Sequence, residues 1–181
     1  MKKTKKHRKN FASRLDLCCG KDQLRPAFQC VHFFGGFAFA TNAYVLIMQD
    51  LKMCGFTEEE MAMAEGKAIH SEAFKQLYKS DTVKVTEAGI EAGDVLCKWA
   101  TNAGTPPDFV RFTSNLKEDK YTAQPTSAIK PKYLDLLGRA MVSEDGILKL
   151  TFPTNPVSPI LVTTKIESTR QLGIIMPCVM D

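Results

Sequence analysis

No stretch of this sequence comes near the ~20 consecutive apolar residues that a membrane-spanning helix requires. The basic N-terminus is not followed by an apolar segment of the kind found in secretory signal peptides. The composition, with 44% hydrophobic and 24% charged residues, is that of an ordinary globular protein. We therefore expect a cytoplasmic protein that does not associate with a membrane.

Catalytic motifs are missing as well. No Gly-rich loop leads from a strand into a helix, and Ser71, Ser80 and Ser158 lack the context of a nucleophile elbow. His32 lies in an apolar strand, where a hydrogen-bonded core histidine is commoner than a ligand. The run Glu58–Glu60 suits a helix N-terminus, where the helix dipole favours acids, better than an acid/base pair. The sequence predicts a protein that is not an enzyme and uses no cofactor.

The six cysteines include no Cys-x-x-Cys pair. Without a signal peptide, reduced thiols packed as small apolar groups are a better interpretation than a disulfide framework. A zinc site would need His32 or His70 to join scattered cysteines, which the usual ligand spacings do not favour. We therefore expect no metal site. The cysteines are Cys18, Cys19, Cys30, Cys54, Cys97 and Cys178.

The positive charge is concentrated at the N-terminus. Residues 1–14 carry seven Lys or Arg and no acid, so the net charge of +4 leaves the other 167 residues at −3. We treat residues 1–10 as a basic arm ahead of a nearly neutral body. Such an arm is either a solvated tail or a segment that binds phosphate groups, and the sequence leaves both open.

A helix pattern followed by two or three short apolar strands occurs three times, over residues 11–50, 71–100 and 130–178. A repeated unit of this kind indicates an architecture before it indicates a chemistry. Helix–strand–strand–strand units predict an α+β fold with antiparallel sheets and helices on one face.

The first unit is predicted to begin with a helix from Phe11 to Cys19 that ends at Gly20. Strands follow over 27–34, 37–41 and 44–48, and Gly35-Gly36 makes a tight hairpin turn between the first two.

Thr57 and Glu60 have the spacing of a capping box at a helix start. Met61, Ala64 and Ala68 extend this helix weakly, and Gly66 is an alternative end. A second helix starts near Ser71. Strands are predicted over 82–86, 95–100 and 109–113, and residues 114–127 are predicted to be a loop. In the third unit, a helix begins at Pro131 with apolar side chains at helical spacing. A turn at Asp145-Gly146 and strands over 147–152, 160–164 and 172–178 complete that unit.

The segment from Asp22 to Ile47 resembles the opening of a domain of the bacterial sliding clamp, the β subunit of the replicative DNA polymerase. In that family a strand ends in Ala-Thr-Asp-Gly, and here Ala40-Thr41-Asn42-Ala43 stands at that place. The departure is Asn42-Ala43 in place of Asp-Gly.

The C-terminal third resembles the same family in the order and spacing of its elements. The matching segments are Tyr133-Leu-Asp-Leu-Leu137, Leu148-Lys-Leu-Thr151, Ser158-Pro-Ile-Leu-Val162 and Ile174-Ile-Met-Pro177. Family subunits have three domains of roughly 120 residues each, on the usual domain scale. We therefore expect residues 11–181 to form a single clamp-like domain with an insertion at 52–70, and the alternative is one and a half such domains.

The resemblance implies a non-enzymatic protein that binds duplex DNA without reading its sequence, recruits polymerase or repair-factor peptides through an apolar groove, and assembles into a homo-oligomer. The inner helices of such clamps present Lys and Arg to phosphates. The candidate DNA-binding residues are Lys2, Lys3, Lys5, Lys6, Arg8, Lys9, Arg14, Lys21, Arg25, Lys75, Lys79, Lys132 and Arg139.

The alternative is a stand-alone protein-interaction module that keeps the clamp fold without encircling DNA. The nearly neutral body favours this alternative, whereas the basic arm favours DNA binding. Fold alone does not decide between them.

Overall fold

The computed structural model describes residues 9–109, 111, 121–122, 128–141, 143, 146–155, 157–164 and 171–178, with only the backbone at 121–122. The strands are β1 Cys30–Phe34, β2 Phe37–Thr41, β3 Val45–Asp50, β4 Ala68–His70, β5 Lys84–Thr86, β6 Gly89–Ala92, β7 Val95–Lys98, β8 Tyr121–Thr122, β9 Leu148–Pro153, β10 Ile160–Thr164 and β11 Gln171–Ile175. The α-helices are α1 Glu58–Ala64, α2 Ser71–Phe74 and α3 Pro131–Ala140, and 3-10 helices span Leu15–Cys18, Pro26–Gln29, Lys52–Cys54 and Lys75–Lys79.

Within the described residues the strands form two antiparallel sheets. The larger has eight strands in the order β4-β1-β2-β3-β11-β10-β9-β8, and the smaller has the order β5-β6-β7. The pairing of β3 with β11 places Val45 opposite Ile175 and Gln49 opposite Gln171. The first predicted unit is therefore joined to the third in one sheet, and the middle unit forms a sheet of its own. The expectation of an α+β fold with antiparallel sheets is confirmed.

The hairpin between β1 and β2 forms as the sequence predicts. Gly35 and Gly36 have φ values of 58° and 77°, the left-handed pair that a type I′ turn needs and that glycine adopts without a steric penalty. Phe34 consequently pairs with Phe37 across the turn. The Glu65 carboxylate accepts a hydrogen bond from the Gly35 amide at 2.9 Å, which holds the turn against the end of α1.

The main core lies on one face of the larger sheet, where α3 and the 3-10 helix Leu15–Cys18 pack. Ala38, Ala40 and Ile47 present small or branched side chains to that face. In β11, a Cβ added at Gly173 would lie only 2.8 Å from Met141 Sδ, so the absence of a side chain lets α3 approach the sheet closely. The opposite face has a smaller apolar cluster made by Phe39, Leu46, Phe109 and Ile174.

The N-terminal segment is held in the body by polar contacts. The buried Asn10 side chain donates to the carbonyls of Leu77 and Ser80 at 2.7 and 2.5 Å. Ser13 Oγ donates to the Gln171 side chain, which ties this segment to β11. Lys9 and Asn10, which the sequence groups with the basic arm, thus contact the folded body directly.

The predicted helix from Phe11 to Cys19 is wrong in extent, because only Leu15–Cys18 is helical, as a 3-10 turn. The backbone donors that a helix would use internally bind distant groups instead. The Ser13 amide donates to the Gln49 side chain at 2.7 Å, and the Arg14 amide donates to the Ala140 carbonyl at 2.7 Å.

The predicted strand over 109–113 is also wrong, since Phe109 and Arg111 are helical. The Asp108 carboxylate accepts from the Arg111 amide at 2.9 Å, the arrangement of a helix N-cap. In the predicted loop 114–127, Tyr121–Thr122 forms β8 against β9, and Asp145 of the predicted turn lies outside the described residues.

The capping box is confirmed, and Glu60 does more than cap α1. Its carboxylate accepts from the Thr57 amide, from the Val85 amide in β5 at 3.4 Å, and from Lys9 Nζ at 2.6 Å. Burial opposes ionisation of this carboxyl, but the bonds from Lys9 and the two amides outweigh it and lower its pKa. Glu60 therefore links the N-terminal segment, α1 and the smaller sheet.

Candidate functional site

An apolar groove lies on the larger sheet where β2 ends and β3 and β11 run side by side. Its volume is about 310 Å³, and its lining is largely apolar. The turn between β2 and β3 forms one wall, the end of β11 the second, and Pro107–Phe109 the third. The lining residues are Phe28, Thr41, Ala43, Tyr44, Val45, Leu46, Pro107, Asp108, Phe109, Ile174 and Met176.

The wall between β2 and β3 is a tight turn held by side-chain hydrogen bonds. Asn42 Oδ1 accepts from the amides of Tyr44 and Val45, each at 3.1 Å, and Thr41 Oγ1 donates to the Val45 carbonyl at 2.7 Å. Ala43 has a φ of 74°, a left-handed conformation that costs a non-glycine residue about 1–2 kcal/mol. The turn thus keeps a strained backbone at the rim of the groove, a feature common at binding sites.

This turn projects Tyr44 from the surface and fixes its ring. The side chain is 57% exposed, yet its ring stacks on that of Tyr133 in α3, with centroids 5.4 Å apart and planes 13° apart. The Tyr44 carbonyl accepts from the Met176 amide at 3.0 Å, which joins the turn to the end of β11. An exposed aromatic ring that is already immobilised loses little entropy on contacting a ligand.

The base of the groove is aromatic. The Phe39 and Phe109 rings are stacked, with centroids 4.4 Å and planes 6° apart, and Phe109 is only 3% exposed. The His32 ring lies 5.9 Å from that of Phe109. Phe109 is the member of this aromatic cluster that lines the groove.

His32 is a hydrogen-bonded core residue, as the sequence favours. Its Nε2 donates to the Ala27 carbonyl at 2.6 Å, and the residue is 4% exposed. Burial lowers the pKa of the imidazole below 6.5, although the bond to Ala27 opposes that shift. The ring is therefore neutral in the folded protein at neutral pH.

We expect the melting temperature to fall as pH drops below about 6.5, because the unfolded chain binds the His32 proton more readily than the folded chain. The stabilisation by neutral His32 is complete above pH 6.5 and declines as pH falls toward the lower folded pKa. In His32→Gln, whose amide still donates to Ala27, this part of the decline should vanish. Thermal melts of both proteins at pH 7.5, 6.5 and 5.5 measure this difference in melting temperature. Parallel plots of melting temperature against pH for the two proteins would contradict the prediction.

A second, basic groove of about 510 Å³ adjoins the apolar one and shares Phe28 and Tyr44 with it. It brings together three of the predicted DNA-binding residues, Lys21, Arg25 and Lys132. Arg25 lies 5.9 Å from the Phe28 ring and Lys132 lies 5.1 Å from the Tyr133 ring, so aromatic surfaces support both cations.

The other described cations of the predicted set lie elsewhere, and most of them have a carboxylate neighbour. Lys9 pairs with Glu60 at 2.6 Å, Arg14 with Asp16 at 2.7 Å, Arg139 with Asp135 at 2.9 Å and Lys75 with Glu72 at 4.0 Å. Lys79 is exposed at the end of its 3-10 helix. The predicted contacts that lie outside the described residues are Lys2, Lys3, Lys5, Lys6 and Arg8.

The cysteines have no functional geometry. None of the six forms a disulfide, and burial raises the pKa of Cys18 to about 12, so this thiol does not ionise at neutral pH. Within the part of the chain that the structure describes, no cluster of His, Cys, Asp and Glu could hold a metal ion. None of the helices described here is both long enough and apolar enough to cross a membrane.

Comparison with known proteins finds the fold through structure and not through sequence. No family model and no curated protein matches the chain. The structure is similar to the sliding clamp of Bacillus subtilis (TM-score 0.61, 15% identity, 94% of this chain and 61% of that chain). It is also similar to DNA polymerase III subunit β of Borrelia burgdorferi (TM-score 0.66, 13% identity, 97% and 64%) and to the sliding clamp of Bartonella birtlesii (TM-score 0.57, 15% identity, 92% and 64%).

The fold is therefore clamp-like, as the resemblance implies, and the chain spans less than two thirds of the length of these clamps. Two of the segments that resemble the family, Asp22–Ile47 and Ile174–Pro177, lie far apart in the sequence but both contribute to the apolar groove. Tyr44, Leu46 and Met176 were not predicted as groove residues, although their position within these segments was the signal that could have found them.

Proposed function

We propose that this protein is a clamp-like accessory protein that docks a partner peptide in the apolar groove and associates with duplex DNA without sequence preference. The groove is the observation that carries the proposal. It is concave, largely apolar and about 310 Å³ in volume, and it has an immobilised, exposed Tyr44 at its rim. Buried pockets flanked by a rigid tyrosine are typical of the sites that dominate peptide affinity.

The structural neighbours support a docking role. The Bartonella birtlesii clamp is bound to griselimycin, and the Borrelia burgdorferi protein is in complex with a natural product. In this chain the turn at Asn42-Ala43 departs from the family's Asp-Gly, yet the hydrogen bonds of Thr41 and Asn42 still form a closed turn. The groove therefore persists despite the substitution.

The DNA part of the proposal depends on the basic arm and on the thirteen predicted cations. Five of them, Lys2, Lys3, Lys5, Lys6 and Arg8, lie in residues 1–8 with no acid among them. A chain of this length would encircle duplex DNA only by assembling with further copies, so a homo-oligomer belongs to this proposal.

The second candidate is an interaction module that docks the same peptide without encircling DNA. The ion pairs of Lys9, Arg14, Lys75 and Arg139 favour it, because a cation that already faces a carboxylate releases less free energy on meeting a phosphate. Light scattering behind a sizing column separates the two candidates: a closed oligomer supports encirclement, and a monomer supports the module.

Tyr44→Ala is expected to weaken peptide binding at least tenfold, about 1.4 kcal/mol or more, because it removes the rigid wall of the groove. The probe is a seven-residue peptide selected from a random library on the immobilised protein, with affinity measured by fluorescence anisotropy. Tyr44 is 57% exposed, so the variant should fold.

Val157→Ala is the matched control, because Val157 is 60% exposed and does not line the groove. Its affinity for the peptide should equal that of the unmodified protein. Equal affinity of the Tyr44→Ala variant would show that the selected peptide binds elsewhere and would contradict the docking proposal.

A further inference from the structure

We infer that the partner segment carries acidic residues beside its apolar anchor and that these residues occupy the basic groove on the other side of Tyr44. The inference rests on the proposed docking function and adds the chemical character of the partner. Its basis is the juxtaposition of an apolar groove and a cationic groove that share two aromatic walls, Phe28 and Tyr44.

The shared walls make the two grooves neighbouring halves of one binding surface. Tyr44 lines both, and Tyr133 supports its ring by stacking from the basic groove. Phe28 likewise lines both and lies beside the Arg25 guanidinium. An extended peptide advances about 3.3 Å per residue, so a segment anchored in the apolar groove reaches the basic groove within a few residues.

Positive side chains outnumber carboxylates in the lining of the basic groove. Its lining includes Lys21, Arg25 and Lys132, and the one carboxylate among the lining residues is Asp22. Asp22 lies 3.5 Å from Arg25 in an exposed pair, which solvent screens strongly. Among the described residues, no carboxylate lies within 4.0 Å of the Lys21 or Lys132 ammonium group.

This arrangement contrasts with residues 15–181 as a whole, which carry a net charge of −3. Positive charge concentrated beside an apolar groove attracts a ligand of opposite charge and sets its direction of binding. The complementary ligand has apolar side chains followed or preceded by carboxylates.

A peptide fits this surface better than a nucleic acid strand does. A polynucleotide carries a phosphate at every residue and has no apolar side chain to fill the largely apolar groove. An acidic peptide fits both grooves at once. Its apolar side chains displace water from the apolar groove, and its carboxylates lie among the cations of the open basic groove.

The experiment compares two versions of the library-selected peptide, one extended by three Glu and one by three Gln, with the extension placed at either end. At 50 mM salt the Glu version is expected to bind about tenfold tighter than the Gln version for one of the two placements, from three exposed ion pairs. The difference should shrink at 500 mM salt, where exposed charges are screened within a few ångströms.

The variant Lys21→Gln/Arg25→Gln/Lys132→Gln should remove the preference for Glu, so that it binds the Glu and Gln peptides with equal affinity. Its matched control is Lys84→Gln/Lys98→Gln/Lys149→Gln, which removes three exposed lysines that line neither groove. The control should keep the tenfold preference. All three altered side chains of each variant are exposed, so circular dichroism should show an unchanged fold.

Equal affinity for the Glu and Gln peptides in the unmodified protein would overturn the inference, as would an equal loss of preference in both triple variants. Displacement of the Glu peptide by a twelve-residue oligothymidine, with loss of that displacement only in the Lys21/Arg25/Lys132 variant, would assign the groove to nucleic acid instead. Failure of the docking proposal gives a different result from failure of this inference. In that case the Tyr44→Ala variant would bind the Gln peptide as tightly as the unmodified protein does.

Discussion

Deleting residues 1–8 is expected to weaken binding to duplex DNA by about 100-fold or more at 50 mM salt, because five cations leave with the segment. Each phosphate contact contributes about 0.9 to the slope of log K against log salt, so the slope should become shallower by about 4 to 5. Titration of a labelled 30-base-pair duplex at four salt concentrations gives both quantities. The deletion leaves Lys9, Asn10 and their contacts in place.

Two controls isolate charge from length. Replacing Lys2, Lys3, Lys5, Lys6 and Arg8 by Gln keeps the length and should reproduce the shallower slope. Lys52→Gln removes an exposed cation of the body and should change the slope by at most about 1. An unchanged slope after deletion would show that the arm is a solvated tail, and topological retention on circular but not linear DNA would support encirclement.

Phe11→Ala is expected to lower the free energy of unfolding by about 3–5 kcal/mol, a large part of the total stability of a domain this size. Phe11 is fully buried, and its ring lies 4.7 Å from that of Phe74, 5.2 Å from Phe56 and 6.1 Å from Phe33. The side chain thus joins three segments that are distant in sequence. Urea unfolding followed by circular dichroism measures the loss.

Phe34→Ala is the matched control, because the same atoms are removed from a side chain that is 47% exposed. Its cost should be at most about 1 kcal/mol, since less apolar surface returns to water and no closed cavity forms. A loss of less than 1 kcal/mol for Phe11→Ala would mean that the N-terminal segment does not contribute to the core.

The sequence predicted the elements whose signals are local. The Gly35-Gly36 turn, the Thr57–Glu60 capping box and the helix from Pro131 depend on residues within one turn or one hairpin, and all three formed as expected. The free energy that stabilises these elements comes mainly from hydrogen bonds between neighbouring backbone groups and from contacts between side chains at helical spacing. Neighbours in the sequence therefore suffice to predict them.

The errors have a common physical origin in distant partners. Residues around Ser13 look helical by apolar spacing, but the side chain of Gln49 and the carbonyl of Ala140 take the backbone donors instead. The short strands β4 and β6 were missed because three or four residues carry too little pattern, and pairing with β1 and β5 creates them. Ala68, predicted at the end of a helix, belongs to β4.

The groove, too, was predictable only where the signal is local. The resemblance covered the segments that contain Tyr44 and Met176 but not Pro107–Phe109, and no local pattern indicates that Tyr44 and Met176 are neighbours across more than 100 residues of sequence. The three cations of the basic groove were among the predicted phosphate contacts. Their convergence around Phe28 and Tyr44 became visible only with the fold.

The pairing of β3 with β11 makes synthesis of both strands a condition for completing the groove. Val45 and Ile175 are adjacent in the sheet although 130 residues separate them in sequence, so this contact has a high loop-closure cost and is expected to form late in folding. During synthesis, a chain whose Ile174 and Met176 have not yet left the ribosome lacks one wall of the groove. The proposed docking of a partner therefore requires that β11 has paired with β3, and a docked partner would stabilise that pairing by mass action.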